Sequence, residues 1–193
     1  MRAAVLVVSD RAAAGTHRDE SGPLAEQMLS DWGYSVVRRE VVPDERDAIV
    51  DRLLHYTDHD RLDVVITSGG TGLAPRDVTP EATREILDRE APGIAEFLRR
   101  ETSRATPMSA LSRGVAGTRG STLVVNLPGS PKGVREYLEL LRPLLPHAVQ
   151  VLRGESAGHA APAEREDTPS PSEKGTPPSS EKSAPSSPPK EAP

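Results

Sequence analysis

The chain reads as an α/β domain, a three-layer, mostly parallel sheet covered by helices on both faces. Three observations predict this class. First, the runs Arg2 to Ser9, Asp63 to Thr67 and Ser121 to Asn126 have apolar centres with no polar alternation, the mark of strands buried on both faces. Second, these runs are separated by segments whose apolar residues recur at helical spacing, so strand and helix alternate along the chain. Third, hydrophobic residues make up 35% of the sequence and aromatics only 3%, so the core is built from Val, Leu, Ile and Ala.

Each element has its own signal. Arg2 to Ser9 is β-branched at its centre and reads as an interior parallel strand that ends at Ser9-Asp10-Arg11. After a polar loop from Gly15 to Glu20, Ser21-Gly22-Pro23 opens a helix with Leu24, Met28 and Leu29 on one face, closed by Gly33. Tyr34 to Val42 reads as a second strand. Beyond Pro43, Asp44 stands where a helix N-cap belongs, ahead of Ile49, Leu53 and Leu54 at helical spacing. Asp63 to Thr67 is the third strand. Helices are expected at 80–90 and 93–106, a hairpin from Gly114 to Gly120 into the next strand, and a last helix from about Gly133 with Val134, Leu138 and Leu141 on one face. Pro143 and Pro146 predict a break before Val151.

Composition divides the chain near Gly154. Residues 155–193 hold nine of the 19 prolines and eight serines, and too little apolar bulk to offset chain entropy, so they read as a disordered tail behind a domain at 1–154. The first 154 residues carry 22 acidic and 20 basic side chains, which argues against a nucleic-acid partner held by bulk charge. There is no cysteine, which excludes disulfides, thiolate metal sites and cysteine nucleophiles. No apolar stretch approaches the roughly 20 residues that span a bilayer, and no leader pattern is present, so the expected setting is cytoplasmic, with no membrane partner. The five histidines, His17, His55, His59, His147 and His159, read as scattered, without metal-ligand spacing.

Ligands of open α/β sheets collect beyond the carboxyl ends of the strands. Four loops are expected there: Ser9-Asp10, Pro43-Asp44, Thr67 to Asp77, and Leu127-Pro128-Gly129-Ser130-Pro131-Lys132. The third is the most informative. Gly69, Gly70 and Gly72 let backbone approach a ligand closely, Ser68 and Thr71 supply hydroxyls, Arg76-Asp77 sets a base beside an acid, and Thr79-Pro80-Glu81 starts a helix. Neither the Walker pattern nor the dinucleotide fingerprint is present. The inventory of amides, hydroxyls, three carboxylates and a lysine suits a phosphorylated ligand, with carboxylates on Mg²⁺. Local spacing leaves alternatives open: Asp44 as a cap, Asp77 as a cap or a partner of Arg76, Asp10 as a turn former. Lys132 is the only lysine among the first 154 residues, beside 19 arginines, which suits a point charge on phosphate or an ordinary helix start. Ala110-Leu-Ser-Arg113 adds a hydroxyl and a cation.

In Val8-Ser-Asp-Arg11, Val42-Pro-Asp-Glu45, Thr67-Ser-Gly-Gly-Thr-Gly72, Arg76-Asp-Val-Thr-Pro80, Ala110-Leu-Ser-Arg113 and Asn126-Leu-Pro-Gly-Ser-Pro-Lys132, the chain resembles the molybdenum-cofactor biosynthesis family, the molybdopterin adenylyltransferases and the homologous domain of gephyrin-type proteins. The likeness covers about residues 1–153. It implies transfer of AMP from Mg-ATP to the phosphate of molybdopterin with release of pyrophosphate. Asp44 and Asp77 match the two aspartates held to be catalytic, acting through Mg²⁺. Ser9, Asp10, Ser68, Gly69, Gly70, Thr71, Gly72, Ser112, Arg113, Pro128, Gly129, Ser130 and Lys132 are then expected around the pterin phosphate and the nucleotide. The resemblance also implies a homotrimer and a separate partner for molybdenum insertion. It leaves two rivals, a homologue that binds molybdopterin without adenylylating it, and a scaffold of the gephyrin kind with the Ser/Pro tail as contact region.

Overall fold

The computed structural model describes residues 1–155; the expected disordered tail, beyond Glu155, lies outside the described residues. Six strands form one sheet: β1 (Arg2–Val8), β2 (Ser35–Val42), β3 (Val64–Ser68), β4 (Arg89–Glu90), β5 (Ala116–Arg119) and β6 (Thr122–Leu127), in the order β2-β1-β3-β6-β5-β4. The pairs β2–β1, β1–β3 and β3–β6 are parallel, whereas β6–β5 and β5–β4 are antiparallel. The helices are α1 (Asp10–Ala13), α2 (Ser21–Asp31), α3 (Arg46–Leu54), α4 (Thr79–Ile86), α5 (Pro92–Ser103), α6 (Pro131–Leu141) and α7 (Leu145–Leu152). The expected three-layer α/β class is the one observed.

The two faces of the sheet are read out by strand periodicity, since successive side chains point to opposite sides. In β1, Ala3, Val5 and Val7 pack with α2, α6 and α7 through Leu29, Leu138, Leu141 and Leu145. Ala4, Leu6 and Val8 face the other layer, with Ile49 and Leu53 of α3 and Ala82 and Ile86 of α4. Both sets are fully or almost fully buried, which is why β1 carries no polar residue from Ala3 to Val8. On α6, Val134, Tyr137, Leu138 and Leu141 fall at i, i+3, i+4 and i+7 and all are buried. Truncating Leu138 to alanine there costs about 2–5 kcal/mol.

Several boundaries differ from expectation for identifiable reasons. The helix expected over 80–90 runs from Thr79 to Ile86. Leu87 turns to extended backbone (ψ 135), and Arg89–Glu90 add an edge strand to β5. The helix expected to Thr106 stops at Ser103, and a 3₁₀ turn follows at Pro107–Leu111. α6 begins at Pro131, two residues early, because Ser130 caps it by accepting from the Gly133 amide at 3.1 Å. The predicted proline break separates α6 from α7.

Strand register brings the loops together. Val8 of β1 sits opposite Val42 of β2, Val7 opposite Ser68 of β3, and Ser68 opposite Leu127 of β6. Four parallel strands therefore end level with one another. β1 leads to β2 on one side, and β2 leads back across β1 to β3 on the other, so the topological switch point lies between the carboxyl ends of β1 and β3.

Candidate active site

The crevice at the switch point is floored by Ser9-Asp10 after β1 and Gly69-Gly70 after β3. Here the glycines are sterically required. Gly69 has φ +106, and a Cβ on it would fall 2.2 Å from the carbonyl oxygen of Val8. Gly70 has φ +62, and its missing Cβ leaves room for the Thr79 hydroxyl at 2.3 Å and Asp44 Oδ1 at 3.1 Å. The loop hugs the neighbouring strand ends because it has no side chains, and the charged groups close over that bare backbone.

Asp10 and Asp44 bind each other's backbone. The Asp10 amide donates to Asp44 Oδ2 at 2.7 Å and the Asp44 amide to Asp10 Oδ1 at 3.0 Å. These reciprocal bonds fix Asp44 after β2 against the end of β1, and they correct the cap expectation. The residue flanking α3 is Glu45, with no side-chain cap bond, so Asp44 is turned into the crevice instead. Burial pushes the Asp44 carboxyl above its ordinary range, against the Asp10 amide; the Asp10 and Asp77 charges add to the rise. Asp10 moves the other way, held low chiefly by a two-pronged bond from Arg76 at 2.6 and 2.8 Å. Arg76 thus pairs with Asp10 and not with its neighbour Asp77.

Asp77 is no cap either. Val78 flanks α4 without a side-chain bond, while Asp77 Oδ2 accepts from the Ala74 amide at 2.8 Å and the Asp77 amide returns to the Ala74 carbonyl at 2.9 Å. This tight turn is clamped by Arg113. Its Nε donates to the Gly72 carbonyl at 2.6 Å, its guanidinium also to the Asp77 carbonyl and to Glu81, and its amide to the Thr71 carbonyl at 2.8 Å. One side chain spans both ends of the 72–77 loop. Three of its guanidinium N–H donors are taken up by the protein while the side chain stays 34% exposed, so Arg113 clamps the loop.

Two further polar residues have roles that their places in the sequence do not announce. Asn126, 2% exposed, donates to the hydroxyls of Thr67 and Thr83, each at 2.9 Å, and accepts from the Val115 amide at 3.2 Å, tying β6 to β3 and α4. Thr79 is fully buried with its hydroxyl beside Gly70 and no hydrogen-bond partner among the described residues. Only the run of small polar residues after each strand could have flagged them.

Two cavities meet on this floor. One, of about 560 Å³, is lined by Ser9, Asp10, Arg18, Asp44 and Ser68; the other, of about 510 Å³, by Thr71, Gly72, Met108, Leu111, Ser112, Pro128, Lys132 and Tyr137. Gly69, Gly70, Asp77, Gly129 and Ser130 border both. Within these walls Ser9 caps α1, with its oxygen accepting from the Ala12 amide at 3.3 Å, and the Ser68 hydroxyl donates to the Pro128 carbonyl at 3.0 Å, knitting two loops. The Ser112 hydroxyl accepts from the Gly114 amide at 3.3 Å. Lys132 is exposed at the rim, 3.7 Å from Glu136. Arg113 borders neither cavity.

The histidines are not all scattered. His55 and His59 lie four apart on one π turn with rings stacked at 4.6 Å, beside Asp60, at the opposite end of the sheet. The signal that could have found the pair is its i, i+4 spacing in a helical segment. No helix among the described residues is long and apolar enough to cross a membrane.

Comparison with known proteins gives the family. The chain is 43% identical over 149 residues to the molybdenum cofactor synthesis protein cinnamon of Drosophila melanogaster, covering 77% of this chain but a quarter (25%) of that protein. It is 41% identical over 152 residues to the molybdopterin adenylyltransferase of Helicobacter pylori, covering 78% of this chain and 86% of that one. In three dimensions it matches the molybdopterin biosynthesis enzyme MoaB of Thermus thermophilus with a TM-score of 0.76 at 52% identity, covering 79% of this chain and 96% of that chain. The family described as probable molybdopterin binding domain matches residues 4–147, and the chain belongs to it.

Proposed function

We propose that this chain is a molybdopterin adenylyltransferase of molybdenum-cofactor biosynthesis, a nucleotidyltransferase that moves AMP from Mg-ATP to the terminal phosphate of molybdopterin. A pterin phosphate oxygen attacks the α-phosphorus of ATP, the new P–O bond forms in line, and the bond to the β-phosphate oxygen breaks to release pyrophosphate. The observation that carries this reading is the pair of cavities sharing one floor at Gly69, Gly70 and Asp77. A reaction between two anions needs two adjoining sites and a charged junction, and positioning supplies most of the rate.

The cavity walls divide the substrates. Met108, Leu111 and Tyr137 give one cavity flat apolar surface for a fused heteroaromatic ring, with Lys132 at its rim for phosphate. The other, lined by Asp10, Asp44 and Arg18, suits a cation-bridged triphosphate. The Gly69 amide donates to the Leu127 carbonyl at 3.2 Å, which pins the glycine loop at the junction where charge develops. Ser9, Ser68, Thr71, Ser112 and Ser130 shape and cross-link the walls around it.

The donor set fits Mg²⁺. Asp44 and Asp77 are hard oxygen ligands, the kind this ion takes together with substrate phosphates. Asp44 is an acid that burial disfavours as an anion, and the buried Thr79 hydroxyl lacks a partner beside it; a cation at Asp44 relieves the first. When bound, the ion would neutralise charge on the reacting phosphates. The protein's own part is to hold both carboxylates still, through the Asp10–Asp44 amide exchange and the Arg113 clamp. A homotrimer and a partner for molybdenum insertion, implied by the family resemblance, belong to the same proposal.

The test is direct. Purified full-length chain given ATP, Mg²⁺ and molybdopterin is expected to release pyrophosphate, and Asp77→Asn to abolish nearly all of it. Tight molybdopterin binding without turnover would replace this reading with a binding-only homologue.

A further inference from the structure

We propose that His55, His59 and Asp60 form a second cation site, remote from the nucleotide cleft, that takes a borderline first-row transition ion, with Zn²⁺ the best match. Three features of the chain build it. At the end of α3 the backbone widens into a single π turn over His55–His59, closed by the Asp60 amide on the His55 carbonyl at 2.9 Å. The wider turn brings residues four apart almost into register, and the two imidazoles stack at 4.6 Å with 14° between their planes. Arg61 then adopts φ +48, the only non-glycine residue with positive φ among the described residues, and the Leu62 amide returns to the Tyr56 carbonyl at 3.1 Å. The chain reverses there, directly after Asp60, whose carboxylate lies against both rings.

The donor atoms converge. Asp60 Oδ1 is 3.3 Å from His59 Nδ1, Asp60 Oδ2 is 3.8 Å from His55 Nε2, and one donor atom from each of the three residues lies within 4.8 Å of the others. Ligand atoms about 2.0–2.2 Å from a tetrahedral zinc stand roughly 3.4 Å apart, so ion binding requires the two rings to rotate out of their stack and turn their in-plane lone pairs toward one point. The carboxylate is already oriented from behind. Arg38 Nε holds Oδ2 at 3.0 Å, and Arg2 holds the Asp60 carbonyl at 2.8 Å, the kind of outer contact that fixes a metal ligand. Two imidazoles and one carboxylate suit zinc, copper or nickel over magnesium, and a three-ligand set leaves a position for water.

The site lies on the approach to β3, so ion binding ties the π turn to the sheet and stabilises the folded chain by mass action. It shares no residue with the proposed Mg²⁺ ligands, and neither proposal depends on the other. The test is calorimetric titration of the full-length chain with ZnCl₂ in a non-chelating buffer, alongside thermal melts. Expected are saturable binding of one zinc per chain at this site and a raised melting temperature. His59 is largely exposed, so His59→Ala preserves the fold. Losing one of three ligands weakens binding at least as much as losing an outer partner does, about tenfold or more. His55→Ala is expected to do the same, while an Asp44→Asn, Asp77→Asn double variant keeps the zinc. Zinc binding unchanged in His59→Ala, lost in the aspartate double variant, or never saturable would each overturn the proposal.

Discussion

Arg113 separates a positioning role from a binding role more sharply than any other residue of the site. Replacing it with methionine keeps most of the stem and removes every guanidinium bond. The Gly72 and Asp77 carbonyls lose their donors, each loss costing about 1 kcal/mol. The Glu81 pair, with side chains 34% and 44% exposed, adds no more than about 1 kcal/mol. The fold therefore loses about 2–3 kcal/mol, and a domain of this size melts roughly 5–10 °C lower. The larger effect is on turnover. Asp77 rides on a turn that Arg113 closes at both ends, and a reacting group displaced by about 1 Å costs about 100-fold in rate. Steady-state pyrophosphate release is the assay: kcat is expected to fall about 100-fold while KM for either substrate stays within a few-fold. Arg113→Lys is expected to recover little, because one ammonium cannot bridge two carbonyls and a carboxylate at fixed angles. A raised KM at unchanged kcat would refute the reasoning and return Arg113 to the substrate contact that the family resemblance implies.

The same geometry sets other outcomes. Gly69→Ala is expected to destabilise the fold by about 3 kcal/mol or more, read by chemical denaturation. Its positive φ alone costs about 1–3 kcal/mol, and the added methyl group meets the Val8 carbonyl, which belongs to a central strand and cannot swing aside. Asp44 yields a pH-dependent prediction. Its carboxyl is raised in the folded chain, so the native state holds that proton to higher pH than the unfolded chain, and stability falls as pH rises from the ordinary aspartate value through the raised one. Without ligands, Asp44→Asn is therefore expected to gain stability relative to the parent as pH rises above the ordinary aspartate value of about 3.9; an unchanged difference in denaturation midpoint would contradict this. Truncation after Glu155 is expected to leave turnover unchanged, because the floor and both cavities are built from residues before it.

The strands were the most legible part of the sequence, because a strand buried on both faces leaves an uninterrupted apolar run such as Ala3 to Val8. Loop positions followed from the parallel class, since ligands gather at carboxyl ends whatever the chain. Helix ends were less legible. Ile86 ends α4 because the edge strand Arg89–Glu90 captures the following residues, a long-range pairing with no local signal. The roles of polar residues were least legible of all. Asp44 and Asp77 sit at helix starts where a cap is the commoner use; a bond to Asp10 across 34 residues turns Asp44 elsewhere, and the local 74–77 turn does so for Asp77. Arg113 could not be separated from a ligand contact by spacing, since its partners lie 32–41 residues away.

The fate of a label on ATP tests the central claim most directly. With the full-length chain, Mg²⁺ and molybdopterin, label on the α-phosphate is expected to appear on the pterin while label on the γ-phosphate leaves as pyrophosphate, and Asp77→Asn is expected to stop both. Label from the γ-phosphate on the pterin, or α-label that stays with free nucleotide while molybdopterin is tightly bound, would contradict the account.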